Sequence, residues 1–173
     1  MANFKEDLAR VKAFIFDIDG VLSLQTISLN AFGVPNRTVN LRDGYALQLA
    51  AKKGYIIGII SGSKSKEYQK RLKMLGINDI YLNSRNKLEN FSTFLKKHNL
   101  NKSDVLFMGD DIPDFEVMKE AGIPVCPSDA DSEIKQVSSY VSDKKGGEGC
   151  VRDVIEQVLR LHNNWMDSDA FTW

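Results

Sequence analysis

Val11-Lys12-Ala13-Phe14-Ile15-Phe16-Asp17-Ile18-Asp19-Gly20-Val21-Leu22-Ser23 is the stretch on which the reading of the fold turns. Its first half, Val11 to Phe16, is a short apolar run with β-branched and aromatic residues that stops abruptly at Asp17. Such a run predicts a strand buried on both faces, as in a parallel sheet. Tyr55 to Ile60 and Val105 to Met108 repeat the pattern, each followed at once by a polar or Gly-rich turn. Ile80 to Leu82 and Ile123 to Cys126 are shorter candidates.

Helical patterns alternate with these runs. Arg42 to Lys53 carries Leu47, Ala50 and Ala51 on one side, and Lys64 to Leu75 carries Tyr68, Leu72 and Leu75. Asn86 to His98 opens with Asn86 and Glu89 in capping-box spacing, then presents Leu88, Phe91 and Leu95. Val151, Val154, Ile155, Val158 and Leu159 give the clearest helical period in the chain. The alternation predicts a doubly wound, Rossmann-like α/β domain with helices on both faces of a parallel sheet. Leu24 to Leu41 interrupts it: two β-prone arms flank Gly33-Val34-Pro35-Asn36, which reads as a projecting β-hairpin. The tail, 163–173, has no clear period and need not pack.

Bulk composition bounds the function. The 173 residues make one domain, long enough to bury roughly 70 % of the unfolded surface. Lys+Arg and Asp+Glu balance at 23 each, so no global basic field recruits nucleic acid or an anionic membrane. No apolar run approaches the roughly 20 residues that cross a bilayer, and Met1 to Lys12 lacks the apolar stretch of a secretory signal. Cys126 and Cys150, far apart, read as reduced thiols of a cytoplasmic protein. The two histidines, His98 and His162, sit within helical patterns, so any catalysis must rest on carboxylates, lysines and hydroxyls.

In an open parallel sheet, ligands bind beyond the carboxyl ends of the strands. Asp17 and Asp19 follow the first strand, Ser61 and Gly62 the second, and Asp110 and Asp111 the Val105 to Met108 strand, while Lys87 starts a helix. Asp17, Asp19 and Asp110 crowded together need a cation, and a hard ion with oxygen ligands answers that need. Mg2+ suits once a phosphate completes its shell. A carboxylate at Asp17 can attack phosphorus directly, and Asp19 is placed to protonate the leaving oxygen and later to deprotonate water. Ser61, the amides after it and Lys87 would neutralise the phosphoryl oxygens. Each motif alone is weak: Asp and Gly populate turns, and a lysine at a helix start is ordinarily solvated. All of them, in one order at successive element ends, are hard to obtain by accident.

Asp17-Ile18-Asp19-Gly20-Val21-Leu22-Ser23, Ser61-Gly62, Lys87 and Gly109-Asp110-Asp111-Ile112-Pro113-Asp114 resemble, in order, the four motifs of the haloacid dehalogenase superfamily of phosphatases. The resemblance covers Val11 to about Leu161. It implies Mg2+ held by the Asp17 carboxylate, the Asp19 main-chain carbonyl and Asp110. Asp17 would be the nucleophile, Asp19 the acid and base, and Ser61, Gly62 and Lys87 the phosphate ligands, with Asp114 steadying Lys87. No interval between motifs has room for a cap domain. Asn40-Leu41-Arg42-Asp43-Gly44-Tyr45 and Gly146-Gly147-Glu148-Gly149-Cys150-Val151-Arg152 are similar to stretches of the 3-deoxy-D-manno-octulosonate 8-phosphate (KDO 8-phosphate) phosphatases. That family implies a homotetramer in which the hairpin, Leu24 to Leu41, closes a neighbour's site. Arg42 is a candidate for pairing with a sugar-acid carboxylate, with a structural salt bridge as the alternative.

Ser61 stands where relatives often have Thr, and Ser63 where the KDO 8-phosphate enzymes usually carry Arg. KDN 9-phosphate and N-acylneuraminate 9-phosphate are therefore the alternative substrates. A phosphoacceptor receiver module, the competing class, would hold its acidic pair at the first strand and its acceptor at the third, the reverse of the order here. A noncatalytic module of the phosphatase fold is the other alternative, and the intact catalytic set argues against it.

Overall fold

The computed structural model describes residues 4–172. A short helix α1 (Phe4–Asp7) leads into the central strand β1 (Ala13–Phe16), and α2 (Leu41–Lys52) and β2 (Ile56–Ile60) follow. Next come α3 (Lys66–Met74), β3 (Asp79–Tyr81), α4 (Lys87–His98) and β4 (Val105–Met108). The chain continues through α5 (Phe115–Glu120), β5 (Ile123–Cys126), α6 (Ser132–Val137), β6 (Tyr140–Val141) and α7 (Cys150–Leu161). The six strands form one all-parallel sheet in the order β3-β2-β1-β4-β5-β6. Among the described residues no cap domain interrupts it.

Side-chain alternation along β1 divides the core into two layers. Phe14 and Phe16 face Leu47 of α2, Leu72 of α3 and Val154, Ile155 and Val158 of α7. Ala13 and Ile15 face Phe91 and Phe94 of α4, Val117 and Met118 of α5 and Ile134 of α6. All of these are buried, and each large one contributes about 1.5–3 kcal/mol by leaving water. A strand with both faces covered has no polar side, which is why Phe14-Ile15-Phe16 reads as an unbroken apolar run.

The helices begin where capping residues stand. The Asn40 side chain accepts from the backbone N–H groups of Arg42 and Asp43, Ser65 from Tyr68 and Asn86 from Glu89. Three features were not apparent from sequence. β6 is two residues long, and α5 and α6 six each, too short to show a period. The excursion between β1 and α2 is a loop closed by one antiparallel bridge, Leu29 to Pro35, with no regular ladder. Asn30 builds its turn, its Oδ1 accepting from the N–H groups of Phe32 and Val34.

The tail is a correction. Instead of being loose, residues 163–172 dock on α2 and α7. Trp165 is buried beneath the guanidinium groups of Arg152 and Arg160. The Tyr45 hydroxyl donates to the Ala170 carbonyl at 2.5 Å, and Lys53 pairs with Asp167 and Asp169. Trp173 lies outside the described residues.

Candidate active site

Strand register brings the site together. Phe16 is level with Ile59 of β2 and Met108 of β4, so the residues following all three strands meet at one rim. The Asp17 amide continues the ladder by donating to the Met108 carbonyl at 3.1 Å. The chain then turns back, with Ser23 N–H bonded to the Ile18 carbonyl and Gly20 N–H to that of Ser23. Gly20 has φ of +82°, and a Cβ there would lie 1.9 Å from Asp110 Oδ2, so only glycine lets the two acidic turns approach. On its other side, a Cβ at Gly146 would strike the Gly20 carbonyl at 1.9 Å. The Gly-rich segment before α7 is thus a close packing partner of the Asp17 turn.

Asp17 is buried and both its oxygens are engaged: Oδ1 accepts from Ile18 N–H at 2.7 Å and Oδ2 from Lys87 Nζ at 2.8 Å. Lys87 Nζ also donates to Asp114 Oδ1 at 2.7 Å, while Asp114 Oδ2 accepts from Asp110 N–H at 3.3 Å. A lysine in the first turn of a helix opposes the helix dipole, and two carboxylates hold it there. Burial pulls the Lys87 ammonium down, but Asp17 and Asp114 outweigh it and keep the group above the ordinary lysine range.

Asp110 is the unbalanced member. Burial, together with the Asp114 and Asp17 carboxylates, pushes its acid up to about 7. Burial and Asp17 also raise Asp114. Single carboxylate oxygens of Asp17, Asp110 and Asp114 lie within 4.8 Å of one another. An excess of buried negative charge among hard oxygen donors fits a small divalent cation. Asp114 is the most deeply buried of the three, 1% exposed against 7% for Asp17 and 5% for Asp110, which makes Asp17 and Asp110 the carboxylates better placed to ligate an ion in the cleft.

An open cleft of 940 Å3 lies over this cluster, and Asp19, Ser61, Gly62 and Lys87 line it. Ser61 Oγ accepts from Ser63 N–H at 3.2 Å, a tight turn after β2. Among the expected site residues, Asp17, Asp19, Ser61, Gly62, Lys87, Asp110 and Asp114 thus share one cleft. Arg42 does not join them. It lies on the exposed start of α2 and lines a separate groove with Arg152 and Glu156 of α7.

Three contributors were missed from sequence. Arg37, on the excursion, donates to both oxygens of Asp19, from Nε at 2.7 Å and Nη2 at 2.8 Å. Gln25 Nε2 donates to Asp110 Oδ2 at 3.1 Å and to the Asp129 carbonyl at 3.2 Å. Arg85 lines the cleft beside Ser84. All lie on irregular segments where periodicity is silent; the one available signal was their proximity in sequence to the motifs.

Comparison with known proteins agrees with this fold. The profile of the haloacid dehalogenase-like hydrolase family matches residues 75–155. The 3-deoxy-D-manno-octulosonate 8-phosphate phosphatase KdsC of Escherichia coli K12 is 35% identical over 149 residues, 86% of this chain and 79% of that protein. The enzyme of the same name from Yersinia pestis is 31% identical over 151 residues, covering 87% and 81%. A crystal structure of the Moraxella catarrhalis 3-deoxy-D-manno-octulosonate 8-phosphate phosphatase, in complex with magnesium, phosphate and KDO, superposes with a TM-score of 0.90. It is 33% identical in sequence, over 99% of this chain and 97% of that one.

Proposed function

Because the chain belongs to the KDO 8-phosphate phosphatase family of haloacid dehalogenase-like hydrolases, we propose that it is a Mg2+-dependent phosphatase converting KDO 8-phosphate to KDO and inorganic phosphate. The observation that carries the reading is the buried Asp17–Lys87–Asp114 chain, with Asp110 beside it, at the carboxyl edge of a parallel sheet.

Asp17 is the nucleophile. Ile18 N–H and Lys87 fix its carboxylate, so one oxygen can attack phosphorus without first being oriented. The Asp17–phosphorus bond forms, the bond from phosphorus to the sugar oxygen breaks, and Asp19 gives that oxygen a proton. Water then attacks the aspartyl-phosphate, Asp19 takes the proton back, and inorganic phosphate leaves. Ser61, the Gly62 amide and Lys87 hold the phosphoryl oxygens, and Asp114 holds Lys87 in place. Magnesium on Asp17, Asp110 and the Asp19 carbonyl would supply positive charge to the phosphoryl group.

The functional unit is a homotetramer in this reading. Leu29, Phe32, Val34 and Val39 of the excursion are exposed, with Phe32 at 90%, more apolar surface than a small protruding loop can bury by itself. Arg42, turned away from its own cleft, would serve a neighbour's pocket or a structural salt bridge. The two unpaired buried thiols, Cys126 and Cys150, favour a cytoplasmic location. Among the described residues no helix is long and apolar enough to cross a membrane.

The test is phosphate release with Mg2+ from KDO 8-phosphate, KDN 9-phosphate and N-acetylneuraminate 9-phosphate. The highest kcat/KM is expected on KDO 8-phosphate. Preference for a nine-carbon substrate would reassign the sugar and leave the phosphatase chemistry standing.

A further inference from the structure

The cleft over Asp17 is acidic on one side and almost bare of cations on the other. Among its lining residues the cations are Lys87 and Arg85. Lys87 is buried and committed to Asp17 and Asp114. Arg85 is exposed, and its guanidinium forms no ion pair or hydrogen bond with another described residue. Arg37, nearby, is spent on both oxygens of Asp19.

The backbone holds Arg85 at a fixed distance from the phosphate-binding turn. Ser84 N–H donates to the Ser61 carbonyl at 3.0 Å and Asn83 N–H to the Ser63 carbonyl at 2.7 Å. Asn83 adopts φ of 54°, the left-handed bend that carries the chain from β3 past that turn. Asn86 then caps α4, so Arg85 sits between two anchored points. Ser63 and Ser84, both small, line the same cleft as Arg85 and the Ser61 turn.

Across the sheet, beyond β5, Asp129 and Asp131 line the far wall of the cleft. That wall repels an anion. A sugar acid phosphate brings a phosphate dianion and, at the other end of its chain, a carboxylate. Lys87 and the metal site serve the first charge. We infer that Arg85 is the specificity residue that receives the second, pairing with the substrate carboxylate on the β3 side of the cleft; the inference rests on the sugar-acid reading above. Arginine suits the task because its planar fork matches a carboxylate and stays charged. The other arginine-rich groove, beside α7, is not part of this cleft. Its Arg152 and Arg160 are both paired with Glu156, and it shares no lining residue with the cleft.

Steady-state kinetics of the wild-type protein, Arg85→Gln and Arg85→Lys on KDO 8-phosphate and on ribose 5-phosphate, which lacks a carboxylate, test this. The ratio of kcat/KM for the acid over the neutral substrate should fall by about tenfold or more in Arg85→Gln, mainly through KM. Arg85→Lys should recover much of the ratio. A wild-type preference for the acid that survives in Arg85→Gln overturns the role of Arg85 alone. Equal losses on both substrates do the same, because they would make the side chain a phosphate or structural contact. A wild-type protein with no preference for the acid overturns the sugar-acid reading, and this inference with it.

Discussion

Arg37 grips Asp19 with both arms of its guanidinium, at 2.7 and 2.8 Å, and so ties the excursion between β1 and α2 to the motif that follows the first strand. The Arg37 side chain is 11% exposed and that of Asp19 41%, so water screens the pair in part and its net worth is about 1 kcal/mol or less. Arg37→Ala should lower the thermal midpoint by only a few degrees. It should, however, expose the excursion around 29–36 to limited proteolysis several times faster, with a parallel fall in kcat/KM. Unchanged proteolysis with unchanged turnover would mean that the contact neither restrains the loop nor orients Asp19.

Asp17→Asn keeps the size of the side chain and an oxygen for Ile18 N–H, so the fold should persist. Turnover should drop by a factor on the order of 10^3 or more, because an amide cannot attack phosphorus. Mass spectrometry of acid-quenched wild-type protein should find the phosphoryl group on Asp17. Normal phosphate release from purified Asp17→Asn would remove the proposed nucleophile.

Chelation should abolish activity, and added Mg2+ should restore it. The same ion should raise the thermal midpoint, because it relieves repulsion among Asp17, Asp110 and Asp114 that the folded state otherwise bears. Asp110→Ala should lose the Mg2+-dependent rise while remaining folded. Full turnover in excess chelator would sink the metal assignment.

Asp43 carries a pH signature outside the cleft. Its Oδ1 accepts from Arg152 N–H at 2.7 Å at the start of α7, while its Oδ2 is buried without a partner. Burial raises its acid from 3.8 to about 6. The folded state therefore holds this proton more tightly than the unfolded chain. Its contribution to stability declines as pH rises from about 4 to about 6, and the cost is fully present above that window. Asp43→Asn retains an acceptor for Arg152 and removes the charge. Urea midpoints should place it above wild type at pH 7.5 by up to about 3 kcal/mol, a gap that closes near pH 4. A gap independent of pH would show that the carboxylate is solvated.

Removing the tip of the excursion by deleting Ala31 to Pro35, or introducing Phe32→Asp, should shift the assembly toward smaller species in light scattering. Activity on the sugar acid should fall more than activity on a small phosphate ester. A fully active wild-type monomer would defeat the tetramer and leave the Asp17 chemistry intact.

Asp17, Ser61 and Asp110 could be placed from sequence because each stands within two residues of a strand end, where chain order alone assigns it to the carboxyl rim of the sheet. Lys87 followed from the cap at Asn86. Arg37, Gln25 and Arg85 could not be placed, since they lie on segments without a period and act through folding; the partner of Gln25 is 85 residues away. Trp165 was hidden for a related reason. Its seat is made by Arg152 and Arg160, whose spacing on α7 reads as an ordinary solvated face until an aromatic ring is laid beneath it.

With β1 inside the sheet and both its neighbours, β2 and β4, later in the chain, synthesis on the ribosome imposes an order on the site. The half-sheet β3-β2-β1 can pair as soon as Tyr81 has emerged, and Lys87 follows at the start of the next helix. Asp17 thus acquires its ammonium partner before Asp110 and Asp114 have emerged. The second pair of acids meets a charge already half neutralised, and the turn at Gly20 stays uncovered until Gly146 arrives to press against it. A nascent chain stalled before that glycine emerges would hold Asp17, Lys87 and three further acids with their packing partner still inside the exit tunnel. Catalytic competence should therefore be among the last properties this protein acquires during translation.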